Sequence, residues 1–129
     1  MIKTSISRGA LTFGALLLSV GAAQAQVSAK LAIAPAAAKV GKPVTFNMKV
    51  TSVKAGKGIP DVQVFDAKRK QVFQGFKENE TFPAGKAKAY SFKWTPKAKG
   101  VYQVKTGVFE PGWKKLSHWN NDAGKVTVK

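Results

Sequence analysis

The chain contains no cysteine, one histidine, two arginines and six acidic residues among 129 positions. Each shortage excludes something. Without cysteine there is no disulfide, no thiol nucleophile and no zinc–thiolate site, so a small domain must hold together by burying apolar surface alone. With His118 as the only imidazole, no repeated metal-ligand spacing exists, and no metal or other cofactor is expected. Glu78 and Glu80 are close in "KENET", as a glycosidase pair would be, but they sit in a polar segment with nothing apolar to raise a carboxyl pKa. They are expected to be counter-charges to Lys77, Lys86 and Lys88. His118, Asp122 and Ser117 lack a nucleophile in a strained turn. The sequence therefore predicts a protein that is not an enzyme, with no catalytic residues.

Long apolar runs are scarce too. The one candidate, "ALTFGALLLSVGAA", follows "MIKTSISRG" with Lys3 and Arg8 and precedes "AQA" at Ala23 to Ala25. Basic start, short apolar run and small-residue cleavage site in that order are the parts of a secretory signal peptide. Residues 1–25 are expected to be removed and residues 26–129 to form a single domain, exported to the periplasm or beyond the cell. No membrane span is expected in the mature chain. Removing Lys3 and Arg8 leaves 20 basic residues against 6 acids, a net charge of +14, and Arg69 is the sole arginine of the 20. Lysine in such excess attracts anionic polymers without the planar fork that shapes an anion pocket. The export signal argues against nucleic acid as the partner, and a monomer is expected.

From residue 26 onward a two-residue alternation dominates. Val27, Ala29, Leu31 and Ile33 share one face of "VSAKLAI", and Val44, Phe46, Met48 and Val50 share one face of "VTFNMKV". "DVQVFDA" and "QVFQGF" read as a hairpin. Tyr90, Phe92 and Trp94 alternate in "KAYSFKW", and Tyr102, Val104, Thr106 and Val108 in "VYQVKTGVF". "KVTVK" closes the chain with Val126 and Val128 inward. Seven short strands with turn signals between them predict an all-β, seven-stranded antiparallel sandwich of the Ig/fibronectin-III type. "KGVYQV" places a tyrosine just inside a strand after a turn, the pattern of a tyrosine corner, in which the Tyr102 hydroxyl bonds back to the preceding crossover. The same alternation puts Phe65, Phe73 and Phe109 opposite Val64, Val72 and Val108, an aromatic stripe on the outward side.

The segment "GVFEPGWKKLSHWNNDAGK" is too rich in Gly, Pro and Asn to predict a strand or helix. It reads as a loop of about fifteen residues, which must be tied down. Two readings compete. In one, Trp113 and Trp119 present flat rings to a ligand, as rings stack on bases elsewhere. Asn120 and Asn121 then hydrogen-bond it, with Lys114, Lys115 and His118 beside them. In the other, Trp113, Leu116 and Trp119 recur at the spacing of a 3-10 turn and fold back as a buried plug.

"KGVYQVKTGVFEPGWKKLSHWNNDAGKVTV" resembles the last strands of small fibronectin-III/Ig-like β-sandwich modules in secreted bacterial polysaccharide-degrading enzymes. Gly100, Tyr102, Val104, Gly107, Val108, Phe109, Trp113, Trp119, Asn120 and Asn121 carry the resemblance. "GIPDVQVFDAKRKQVFQ" and "FPAGKAKAYSFKWTP" are similar as well. The resemblance covers most of residues 41–128. It implies a secreted, non-catalytic module that binds extracellular or cell-envelope polysaccharide. This chain is far more basic than those modules and is read as free-standing, which points to an anionic target. The alternative is a basic periplasmic or surface protein that binds anionic polymers or a protein partner through charge alone.

Overall fold

The computed structural model describes residues 26–129; the predicted signal peptide lies outside the described residues. Nine strands follow one another: β1 (Val27–Ala34), β2 (Ala37–Ala38), β3 (Val44–Ser52), β4 (Gly56–Phe65), β5 (Gln71–Phe76), β6 (Glu80–Phe82), β7 (Ala87–Trp94), β8 (Gly100–Phe109) and β9 (Leu116–Val128). They form two sheets. The smaller has the order β1-β3-β7, and the larger β2-β9-β8-β4-β5, with β6 pairing the start of β4. All ladders are antiparallel except the short β2–β9 pair. Among the described residues, no helix is long and apolar enough to cross a membrane.

The count corrects the expected seven. Ala37–Ala38 and Glu80–Phe82 are short additions that the sequence pattern does not reveal. The larger correction is at the C-terminus, where the last strand starts at Leu116 rather than Lys125. Glycine and asparagine do not end the pairing there, because two register shifts between β8 and β9 take up the unfavourable residues. Such bulges let one strand carry extra residues while the ladder continues on either side.

Alternation builds the core as expected. Val44, Phe46, Met48 and Val50 are fully buried from the smaller sheet, and Val62, Val64, Val104 and Val126 face them from the larger. Trp94 of the small sheet meets Tyr102 of the large sheet edge-on, with ring centroids 4.9 Å apart, and lies stacked 6.3 Å from Phe46. The Tyr102 hydroxyl donates to the Ala98 carbonyl at 2.7 Å, which closes the tyrosine corner. That bond ties the β7–β8 crossover to the aromatic contact between the sheets.

Tyr102→Phe keeps the ring and removes the bond. Loss of about 1 kcal/mol, read as a melting-temperature drop of roughly 4–8 °C for a domain of this size, is expected by thermal denaturation. An unchanged midpoint would mean the corner bond contributes nothing.

Candidate functional site

The site is built on the side of the large sheet that faces away from the core. In a sheet, register partners project from the same face and successive residues from opposite faces. Val62 and Val64 point inward, so Ile59, Asp61, Gln63 and Phe65 of β4 point outward. One row across four strands reads Phe76, Asp61, Gly107, Trp119. The next reads Ile59, Phe109, Leu116.

Gly107 has a specific purpose in the first row. A Cβ there would lie 2.6 Å from Cε3 of Trp119, so the indole rests flat where any other side chain would stand. Trp113 reaches the same surface from the turn Pro111–Trp113 between β8 and β9. Gly112 and Trp113 both take positive φ, at 76° and 59°. The turn is closed by Trp113 N–H donating to Glu110 C=O at 3.0 Å and Glu110 N–H to Lys115 C=O at 2.7 Å. A non-glycine residue in that region is strained, and packing holds it. The Trp113 ring lies 5.1 Å from Phe76 and 4.9 Å from Phe109, and Phe109 lies 6.5 Å from Trp119. The Trp113 indole N–H donates to Glu78 Oε1 at 3.1 Å. Ile59, the register partner of Phe109 on this outer side, is 1% exposed although it is not part of the core between the sheets. Phe76 and Trp119 remain open to solvent.

Beside the rings lies a polar floor. Asp61 is fully buried. Its two carboxylate oxygens accept from Gln63 Nε2 at 2.7 Å and Gln74 Nε2 at 2.8 Å. A buried carboxylate needs such partners, and the bonds orient both amides on the sheet face. Burial pushes the Asp61 carboxyl above the usual carboxylate range, and the two amides oppose that shift.

Further along, three β9 residues bulge out opposite Lys105, between the pairs Val104–Gly124 and Thr106–Asn120. Asn121 in this bulge accepts from the Trp119 indole at 3.4 Å through its side chain and from Gln103 Nε2 at 3.1 Å through its backbone carbonyl. The bulge joins the aromatic patch to a cleft lined by Phe65, Asp66, Arg69, Gln103, Lys105 and Asn121.

Of the residues the sequence nominated, Trp113, Trp119 and Asn121 converge on this face, and Lys114 and Lys115 are exposed on the turn at its rim. His118 and Asn120 do not join them. They are the register partners of Val108 and Thr106, which are buried on the inner side, so alternation turns them away from Trp119. His118 Nε2 is buried without a hydrogen-bond partner, and burial lowers the imidazole pKa. The plug reading also changes. Trp113 is half-buried, but on the outer face, and Leu116 and Trp119 are exposed rather than on one buried side. The expected aromatic stripe loses a member. A register shift pairs Phe73 with Val64 and Gln71 with Phe65, leaving Val72 as the extra, exposed residue and sending Phe73 inward against Phe46 at 6.2 Å. Phe76, Asp61, Gln63, Gln74 and Gln103 were not nominated. The alternation in "IPDVQVF" places Asp61 and Gln63 on one face, but nothing in it says that a carboxylate there is buried.

No protein-family model matches the chain, and no curated protein matches it. Solved structures match the fold. The C-terminal domain of Wzt aligns with a TM-score of 0.68 at 14% identity, over 82% of this chain and 75% of that one. The Pseudomonas fluorescens alkylpurine DNA glycosylase AlkC, solved on DNA containing an abasic site analogue, aligns at 0.59 and 11% identity, over 81% of this chain but only 30% of its own. The CARDB domain of a Pyrococcus furiosus protein, solved with di-metal ions, aligns at 0.54 and 16% identity, over 80% and 87%. The likeness establishes an Ig-like β-sandwich. Among the described residues, no three His, Cys, Asp or Glu side chains come together to hold a metal.

Burial keeps Asp61 protonated to higher pH than in the unfolded chain. Its contribution to stability is therefore complete below the unfolded value of 3.8 and is lost as pH rises through the folded value. Asp61→Asn cannot ionise and should gain stability relative to wild type as pH rises above the unfolded value of 3.8, measured by urea denaturation across a pH series. A difference that stays flat with pH would show that Asp61 ionises as freely as in water.

Proposed function

We propose that the outer face of the large sheet binds a polysaccharide chain, without catalysis, in a protein exported from the cell. The observation that carries this reading is a patch of four linked aromatic rings, two of them open to solvent, set beside amides whose orientation is fixed by a buried carboxylate. Sugar rings have apolar faces and hydroxyl edges. Flat rings grip the faces, and fixed amides pair with the hydroxyls. Phe76 and Trp119 are the stacking surfaces. Trp113 and Phe109 support them, and Gln63, Gln74 and Asn121 supply polar partners. Lone apolar residues on a surface mean little, whereas a linked apolar patch marks an interaction site.

A second reading rests on charge. One ion pair, Lys88 to Glu80 at 3.5 Å, is present among the described residues, so most of the lysines are uncompensated. A strongly basic surface holds anionic polymers, nucleic acid included, without any shaped site.

Tryptophan fluorescence of residues 26–129, titrated with neutral and acidic polysaccharides at low and high salt, separates the two. A saturable shift that persists in high salt is expected. Trp119→Ala should weaken it about tenfold or more at an unchanged melting temperature, since a stacking contact carries ~1–3 kcal/mol. Gly107→Val should do the same by lifting the indole off the sheet. Binding that vanishes with salt and ignores Trp119 would replace the aromatic reading with the electrostatic one.

A further inference from the structure

We infer that the polysaccharide is an acidic one, and that the cleft between Arg69 and Lys105 reads its carboxylate. The inference rests on the reading of the outer face as a polysaccharide platform and adds a charged subsite at its far end.

Arg69 is the one arginine among the 20 basic residues from position 26 onward. It sits at φ 67° in the β4–β5 hairpin. That hairpin is unusually well fixed. Asp66 Oδ1 accepts from Lys68 N–H and Lys70 N–H, each at 2.9 Å, and the backbone of Asp66 pairs with Lys70 and Arg69, also at 2.9 Å. The acid of the cleft is thus engaged with backbone, and neither Arg69 nor Lys105 has a carboxylate within salt-bridge distance among the described residues. Lys105 is half-buried, with Nζ 4.6 Å above the Phe65 ring, so it is held in place and partly stripped of water. A guanidinium on a locked turn offers a planar fork that matches a carboxylate in two hydrogen bonds. A lysine beside it adds a fixed point charge.

The cleft is continuous with the rings. Asn121 lines it and also bonds the Trp119 indole. Along β4, Asp61 in the aromatic row and Phe65 in the cleft are four residues apart, about 13 Å in an extended strand. A glycan that runs from Trp119 across β8 toward the far end of β4 therefore brings a later sugar to Arg69. Lys114 and Lys115 stand at the opposite end on an exposed turn, where they contribute attraction but no shaped contact.

The test compares polygalacturonate with its fully methyl-esterified form, which keeps the sugars and loses the charge, by fluorescence titration at moderate salt. Wild type should prefer the acidic form about tenfold. Arg69→Gln/Lys105→Gln should lose that preference while keeping its affinity for the ester and its melting temperature. Arg69→Lys, which retains charge without the fork, should lose part of it. Lys114→Gln/Lys115→Gln should keep the preference, and Trp119→Ala should weaken both polymers alike. A preference that survives in Arg69→Gln/Lys105→Gln, or that disappears with the turn lysines instead, overturns the subsite. Equal wild-type binding of both forms, lost in Trp119→Ala, leaves the platform standing and removes the subsite. Binding of neither form removes both.

Discussion

An extended chain shows its side chains alternately to two sides, and the large sheet has only one side to bury against its partner. Every residue of β4, β8 and β9 that does not face Val44, Phe46, Met48 and Val50 must face outward. Most sandwiches answer this constraint with polar residues on the outer side. Here the outer side holds a second, smaller apolar cluster, made from Phe76, Phe109, Trp113 and Trp119. It sits around a buried acid and two amides. A face of that composition is poorly suited to water alone and well suited to a ligand that is itself part apolar and part hydroxyl.

The places where alternation breaks are also where the site is shaped. The shift at Val64/Phe65 turns Phe73 into the core and ejects Val72. The shift between Val104 and Thr106 produces the bulge that carries Asn121 from the indole to Gln103. The shift at Val108/Phe109 precedes the turn that brings Trp113 back over the sheet. Bulges re-aim side chains without ending a strand; the first sends Phe73 to the core, and the other two shape the outer face.

The scarcity of acids acquires a physical meaning in the fold. Asp61 is consumed by Gln63 and Gln74, Asp66 by the hairpin backbone, Glu78 by the Trp113 indole, Glu80 by Lys88 and Asp122 by Gln103. Five of the six carboxylates thus hold structure together. The lysines are left to set a positive long-range field, and Lys105, over the Phe65 ring, is one of the few that the fold also holds in place.

The sequence by itself determined the strand class, the inward residues of β3, β7 and β8, and the Tyr102 corner, because alternation and turn residues are local signals. It also singled out Trp113, Trp119 and Asn121 as residues worth watching, and it marked the charge imbalance. Tertiary structure decided the rest. Residues 116–124 become strand only because β8 offers a ladder that bulges can follow, which no local propensity shows. His118 and Asn120 part from Trp119 because neighbours on a strand face opposite ways once that strand exists. Phe73 turns inward because a single extra residue reverses parity. Phe76, Asp61, Gln63 and Gln74 join the site because β5 and β4 pair in one register, and a register is a property of two strands that neither sequence segment carries alone.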